Sequence, residues 1–116
     1  MIRELHLADE TIEGVLVIHV GGHVDGVNAQ EFRNDLEHRI QNIDGPVILD
    51  FKKLTYISSA GLHSILLAAK ISRDRNKKFM LSSLPELALQ VIRTSGFDKI
   101  IEIQESLPEA IHAAHN

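Results

Sequence analysis

The sequence predicts an α/β domain in which an N-terminal β-hairpin belongs to a mixed sheet of four to five strands, flanked by about four helices. Two apolar segments, residues 2–7 and 15–20, lie close together near the N-terminus. The residues that follow change to the period of an amphipathic helix. From there to the C-terminus, helical segments alternate with short apolar runs, a pattern typical of parallel strands joined by helices.

The two N-terminal segments are predicted to pair as an antiparallel hairpin. Residues 2–7 partly alternate between apolar and polar side chains, and residues 15–20 are rich in β-branched residues. Only residues 8–14 separate them, whereas a parallel crossover needs roughly a dozen residues or more. We therefore expect a turn between the two strands.

The first helix is predicted to begin at Asn28, because Asn28 followed by Glu31 fits a capping box. Its apolar residues recur at helical spacing and are Ala29, Phe32, Leu36 and Ile40. An Asp-Gly-Pro sequence at residues 44–46 breaks the chain after it. The continuous apolar run 47–49 then indicates a strand that is covered on both faces.

Asp50 ends this buried strand, a position where ligand chemistry gathers in open α/β sheets. A strand that ends in aspartate also resembles the phospho-accepting strand of response-regulator receivers. A receiver, however, begins with a strand linked to a helix, whereas this chain opens with a hairpin. We therefore expect Asp50 to shape the loop that follows it.

Residues 52–61 are predicted to be a connection, and a strong helix follows them to about Arg73. The side chains that should face the sheet recur at i, i+3, i+4 and i+7 and are Leu62, Ile65, Leu66 and Ala69. Residues 78–81 are predicted to form a short strand.

Two similar segments, 83–86 and 106–109, both read Ser-Leu-Pro-Glu and predict helix starts capped by Ser83 and Ser106. Gly96 is expected to end the first of these helices, and a last strand precedes the C-terminal helix. The predicted order is β-β-α-β-α-β-α-β-α, within a single domain over residues 1–116.

The 116 residues carry a formal net charge of -4 and contain no cysteine. A disulfide framework, a thiolate metal site and a cysteine nucleophile are therefore excluded, and the acidic balance argues against nucleic acid as a partner. No apolar run approaches the roughly 20 residues that cross a bilayer. Residues 1–5 include the charged residues Arg3 and Glu4 and lack an apolar signal core, so we expect a cytoplasmic protein that does not bind a membrane.

Enzyme signatures are missing from the sequence. It contains no Walker-type phosphate loop, no dinucleotide-binding glycine motif and no nucleophile elbow. His112 and His115 lie one turn apart near the C-terminus, but such a pair rarely forms a complete metal site. The sequence therefore predicts a protein that is not an enzyme and that holds neither a metal nor a cofactor.

The most informative segment precedes the second long helix. Ser58 and Ser59 stand directly before its apolar run, and Gly61 lies in its first turn. An N-cap needs only one hydroxyl, so the other serine is available for modification, and a helix start tolerates phosphate electrostatically. On another side of the same helix, His63 and Leu67 are candidate docking residues.

These residues resemble the signature of a known family. Segments 49–51 and 54–62, the glycine and aspartate of segment 22–25, and the closing segments 95–97 and 100–101 are together similar to the STAS domains of bacterial anti-sigma-factor antagonists. The resemblance runs through nearly the whole chain in the expected order. It implies a STAS-like α/β fold.

The resemblance implies a phospho-switched binding module that regulates transcription by partner switching. In this family an anti-sigma factor with serine-kinase activity binds the unmodified antagonist and phosphorylates it, and a serine phosphatase resets the cycle. The family pattern Asp-Ser-Ser-Gly-Leu-Gly places the acceptor at Ser59, with Ser58 as the alternative. Here Ser58 replaces the family's aspartate, Ala60 its second serine and His63 its last glycine.

The resemblance also implies where the partner binds, and Asp25 matches the family's aspartate near the acceptor. The expected partner-binding residues are Asp25, Ser58, Ser59, Gly61, Leu62, His63 and Leu67. We expect a monomer or a weak dimer.

Two other functions stay open from the sequence. Because the aspartate before the acceptor is missing, one alternative is a constitutive scaffold or assembly subunit of the same fold, in which serine serves only as a helix cap. The other is a small enzyme or ligand-binding domain that uses Asp25, Asp50 and the histidines.

Overall fold

The computed structural model describes residues 4–116, which form an α/β structure that begins with a hairpin. Its elements, in chain order, are β1 (Leu5–Ile12), β2 (Val15–Val24), α1 (Ala29–Gln41), β3 (Val47–Asp50), β4 (Leu54–Ile57), α2 (Ser59–Asp74), β5 (Phe79–Ser82), α3 (Glu86–Ser95), a 3-10 turn (Phe97–Lys99), β6 (Glu102–Gln104) and α4 (Leu107–Ala114). The predicted fold class is confirmed. Residues 2 and 3 of the predicted first strand lie outside the described residues.

The sheet is mixed and has the order β1-β2-β3-β5-β6, with β4 paired to β2. The predicted hairpin is confirmed, because β1 pairs with β2 in antiparallel register from Leu5↔Gly22 to Ile12↔Val15. The β2–β3, β3–β5 and β5–β6 pairs are parallel.

Strand β4 is a strand that the sequence did not predict, since it lies inside the segment 52–61 expected to be a connection. Strand β3 pairs with β2 only up to His19. Beyond His19, β3 no longer occupies that side of β2. Strand β4 pairs with β2 there, in parallel, at Gly22–Val24. The length difference between β2 and β3 creates this position, and local sequence does not reveal it.

The two faces of the sheet are covered unequally. On one face, which we call the three-helix face, α1, α2 and α3 contribute to a large apolar core that includes Phe32, Ile65 and Ile92. On the other, which we call the α4 face, a smaller cluster contains Val15, Val17, Ile48, Met80, Ala110 and Ala114. Helix α4, with eight residues, supplies the helical part of that second cluster.

Helix α2 packs on the three-helix face largely as predicted. Leu62 and Ile65 are buried, whereas Leu66 and Ala69 are partly buried and pack against the same core. Ala68 and Ser72 are buried as well. Helix α2 also contacts α1, and the Ser64 hydroxyl donates to the Ala29 carbonyl over 3.1 Å, which ties the start of α1 to α2.

Two predicted helix caps are wrong. The Asn28 side chain does not cap α1; its Oδ1 accepts from the Asp25 N–H and its amide donates to the His23 carbonyl. Helix α3 begins at Glu86 with Pro85 at its N-cap and no side-chain cap. The caps at Ser58 and Ser106 are confirmed, as is the left-handed Gly96 (φ 81°) that ends α3.

Candidate functional site

Asp25 and Ser58 follow neighbouring parallel strands and lie at the same edge of the sheet. Strands β2 and β4 end side by side, with Val24 opposite Ile57. The Ser58 N–H continues the pairing by donating to the Val24 carbonyl over 2.8 Å. The β2–α1 loop and the start of α2 are therefore adjacent, as the prediction that groups Asp25 with the serines requires.

The Ser58 hydroxyl is the N-cap of α2. The backbone of Ser58 is extended, as is typical of an N-cap, and its Oγ accepts from the Gly61 N–H over 3.2 Å. The side chain is half-buried. The cap thus accounts for one of the two serines.

Ser59 is the first residue of α2 and is exposed to solvent. Its hydroxyl makes no hydrogen bond within the described part of the chain. Because the cap is already supplied by Ser58, the Ser59 oxygen is available to an external group.

Gly61 allows α2 to approach the ends of β2 and β4 closely. A Cβ atom at this position would lie 2.6 Å from Ile57 Cγ1 and 2.8 Å from Val24 Cγ1, both well inside van der Waals contact. Gly61 and Leu62 are buried, so they have a packing role and offer little surface to a partner. Their predicted contact with a partner stays a prediction.

The carboxylate of Asp25 organises the loop between β2 and α1. Its Oδ1 accepts from the Val27 and Asn28 N–H groups at 2.9 and 3.2 Å. Its Oδ2 lies 3.1 Å from Nε2 of His23. Asp25 therefore fixes the shape of a loop that adjoins the start of α2.

Three residues near this loop were not predicted as site residues: Val27, Tyr56 and His23. Val27 is 94% exposed although it is a branched apolar residue, and Tyr56 of β4 is half exposed. The ring of Tyr56 stacks on His23, with centroids 4.6 Å apart. A valine between two turn-forming residues, Gly26 and Asn28, was the available sequence signal for an apolar contact at a loop tip.

His63 and Leu67 lie further along α2, on the side that faces away from the core. His63 is exposed and Leu67 is half-buried. Leu67 lines a shallow groove of about 520 Å³ together with Lys70, Arg73 and Ile100. Their predicted role as docking residues stays a prediction.

The electrostatics of the α2 start favour an added negative charge. Unpaired N–H groups give a helix start a partial positive charge, and the first turn of α2 contains no acidic residue. The first turns of α1, α3 and α4 contain Glu31, Glu86 and Glu109. Among the four α-helices of residues 4–116, α2 is the one whose first turn has no acidic side chain.

Asp50 has a different role from the predicted one. Its side chain is buried, accepts from Ser82 Oγ at 3.0 Å and lies 3.0 Å from His19 Nδ1. Nε2 of His19 lies 2.6 Å from Glu10 Oε2. The carboxylate therefore joins strands β2, β3 and β5 instead of shaping the loop.

Burial lowers the pKa of His19, but the hydrogen bonds with Glu10 and Asp50 and the charges of both carboxylates more than offset it. The pKa of His19 consequently lies above the ordinary histidine value of 6.5. A protonated His19 donates from both ring nitrogens, which matches two carboxylate partners.

Within residues 4–116, no group of three or more histidine and acidic side chains is placed to hold a metal ion. Residues 4–116 also contain no helix that is long and apolar enough to span a membrane.

Comparison with known proteins places the chain among anti-sigma-factor antagonists and their relatives. The STAS domain family model matches residues 6–110. BtrV of Bordetella bronchiseptica, a candidate anti-sigma factor antagonist, is 32% identical over 109 residues, which cover 94% of each chain.

Solved structures share the fold. An anti-sigma factor antagonist from Mycobacterium paratuberculosis superposes with a TM-score of 0.89 at 18% identity, over 98% of this chain and 97% of that one. The Bacillus cell fate determinant SpoIIAA, also 18% identical, superposes in its phosphorylated form with a TM-score of 0.70, over 95% of this chain and 98% of that one. At this identity the structures support the fold alone.

Proposed function

The chain belongs to the STAS domain family, and on that premise we propose that it is an anti-sigma-factor antagonist switched by phosphorylation of Ser59. It binds an anti-sigma factor while Ser59 is unmodified and releases it when Ser59 carries a phosphate. It catalyses no reaction itself. This function rests on the family, on the relatedness to BtrV and on the site geometry.

The main observation behind the proposal is that two adjacent serines have different roles, since one caps α2 and the other does not. Ser58 caps α2 through Gly61, so Ser59 is not needed for the helix to start. Ser59 is exposed and has no internal partner among the described residues. A structural role therefore accounts for the first hydroxyl and leaves the second unexplained.

Phosphorylation of Ser59 would act on the interface and leave the fold unchanged. A phosphate adds about -1.5 to -2 charge at neutral pH, and the start of α2 accommodates it because the first turn lacks an acidic side chain. In a partner interface the same group has to lose its hydration. A penalty of about 3 kcal/mol would weaken binding more than a hundredfold.

The proposed docking surface surrounds Ser59 and is formed by exposed or half-exposed side chains. Its members are Asp25, Val27, Tyr56, Ser58, Ser59, His63 and Leu67. Gly61 and Leu62 lie beneath this surface and hold it in place. The apolar side chains supply contact area, and the phosphate on Ser59 would lie among them.

The partners that we propose are an anti-sigma factor with serine-kinase activity and a serine phosphatase that removes the phosphate. We place the protein in the cytoplasm, as one STAS domain and as a monomer or weak dimer. Nucleic acid and membrane surfaces are not among the proposed partners, because the net charge is negative.

Phosphate mapping tests the modification site. The protein is incubated with the candidate anti-sigma-factor kinase and ATP, and the product is mapped by mass spectrometry. We expect one phosphate, on Ser59, and its loss in Ser59→Ala but not in Ser58→Ala. Phosphate on Ser58 or at a distant residue would contradict the assignment.

A binding experiment tests the switch. We expect Ser59→Asp to bind the unliganded anti-sigma factor at least about a hundredfold more weakly than wild type, measured by titration calorimetry. Pro108→Asp, which places an acidic residue in the first turn of α4, is the matched control and should bind normally. Normal binding by Ser59→Asp would favour the constitutive scaffold, in which phosphorylation has no role.

A further inference from the structure

The α4 face of the sheet is divided into an apolar and a polar part. Helix α4 packs over the apolar part, where Val17, Ile48 and Met80 are neighbours in register. Two residues further along each strand lies a row of polar residues, which ends β3, β5 and β6. In register across β2, β3, β5 and β6 they are His19, Asp50, Ser82 and Gln104.

A cleft of about 1020 Å³ opens above the β2–β3 end of this row. It is lined by His19, Gly21 and Asp50 from the strands, by Lys53 and Ser83 from loops, and by Leu107 from the start of α4. Gly21 has no side chain, and a Cβ there would lie 3.3 Å from Lys53 Cβ. The missing side chain thus leaves room beneath the base of the Lys53 side chain. We call this opening the sheet cleft.

The charged side chains of the sheet cleft differ in whether they already have a partner inside the protein. Glu10 and Asp50 both contact His19, so each carboxylate already has a partner inside the protein. Lys52 and Lys53 line the cleft and form no ion pair within residues 4–116. Lys52 and Lys53 are therefore the charged groups of the cleft that are left for a ligand, although the chain as a whole has a net charge of -4.

We propose that the sheet cleft binds a small organic anion, with its carboxylate or phosphate on Lys52 and Lys53 and its apolar part against Leu107 and Pro108. The volume matches small-molecule sites, which are mostly apolar clefts of roughly 300–1,000 Å³ with a few polar groups. The position also agrees with the rule that open α/β sheets bind ligands outside the carboxyl ends of their strands. This site is separate from Ser59 and does not depend on the proposed switch.

Nuclear magnetic resonance titration of the full chain tests the site, with phenyl phosphate and octanoate as the two anionic probes. We expect saturable shifts of the amide signals of Gly21, Lys53, Ser83 and Leu107, with a Kd of about 1 mM or below for at least one probe. Inorganic phosphate separates the contribution of the anionic group from that of the apolar body, and we expect it to bind more weakly.

Three variants distinguish the sheet cleft from non-specific binding. The double variant Lys52→Gln/Lys53→Gln should weaken binding of the better probe at least about fivefold. Ala8→Phe should also weaken it, since residue 8 lines the cleft from the exposed strand β1. The control Arg75→Gln/Lys99→Gln removes two exposed cations elsewhere and should leave binding unchanged, as should Ser59→Ala.

Several results would overturn the proposal. Shifts confined to other residues, equal binding in the lysine variant and its control, or equal binding of phenol and phenyl phosphate would each do so. An absence of saturable shifts with both anions at about 10 mM would do so as well, since a site weaker than this is not specific.

Discussion

Two clusters of polar side chains lie at the carboxyl edge of the same sheet, and they differ in whether their polar atoms already have partners. In the first, Asp50 is buried and contacts His19 and Ser82. In the second, Ser58 caps α2 but Ser59 is exposed and makes no hydrogen bond among the described residues. We call the first the closed cluster, because its polar atoms contact one another. We call the second the open cluster, because the Ser59 hydroxyl has no partner among the described residues.

The difference shows why a conspicuous residue type is a weak guide to function. An aspartate at the end of a buried strand attracts attention, yet its lone pairs stabilise contacts between strands. A serine beside another serine is less conspicuous, but its hydroxyl has no structural task. The availability of a polar atom to an outside group depends on its partners, and the following predictions test that distinction in both clusters.

The largest effect on the free energy of unfolding is expected for Asp50→Ala, in the closed cluster. Asp50→Ala removes the acceptor of Ser82 and a partner of His19 inside the sheet, and should lower the free energy of unfolding by about 3 kcal/mol. Chemical denaturation measures it. Asp50→Asn keeps the shape and one acceptor and should cost less; a loss below about 1 kcal/mol for Asp50→Ala would show that the cluster is not a stabilising contact.

Overpacking beneath the open cluster should have the next largest effect. Gly61→Val adds side-chain atoms where a Cβ alone would lie 2.6 Å from Ile57, and we expect a loss of about 2 kcal/mol in the free energy of unfolding. Glu109→Val at the same position of α4 is exposed and serves as the control. Equal losses for the two variants would contradict the close approach at Gly61.

The two adjacent serines should differ in their contribution to stability. Ser58→Ala removes the cap of α2 and should cost about 1 kcal/mol, as should Ser106→Ala in α4. Ser59→Ala should change the free energy of unfolding by less than about 0.5 kcal/mol. A cost at Ser59 equal to that at Ser58 would mean that both hydroxyls are structural and would weaken the case for a switch.

The smallest effect concerns the pH dependence of the closed cluster. Because the folded-state pKa of His19 lies above 6.5, folding favours the protonated ring. Its stabilising contribution is complete below pH 6.5 and is lost as the pH rises through the folded-state value. The difference in Tm between wild type and His19→Gln should therefore shrink from about pH 6 to about pH 8. A difference that stays constant or grows with pH would contradict the assignment.

Much of the fold was predictable because its signals are local. The short hairpin connection, the helical period of Phe32, Leu36 and Ile40, and the glycine that ends α3 each depend on neighbouring residues alone. The caps at Asn28 and Ser83 were wrong for the same reason: several local structures compete for one polar side chain. At Asn28, the β2–α1 loop provides better partners than the helix does.

The candidate site was predictable in part. The positions of Ser58, Ser59 and Gly61 relative to the apolar run of α2 are set by the sequence, and the structure keeps them at the helix start. Val27 and Tyr56 were not predicted, since their exposure depends on a loop tip and on a strand that exists only because β2 is longer than β3.

The sequence by itself determined the four α-helices and five of the six strands of residues 4–116. It also determined that one of two serines is surplus to capping and that the chain resembles STAS domains, because spacing and residue type act over short distances. Tertiary structure decided that Ser58 is the capping serine, that β4 completes the site, that Gly61 and Leu62 are buried, and that Asp50 joins three strands. Each of these depends on contacts between residues distant in the chain, and burial and pairing of a polar atom exist only once those residues meet.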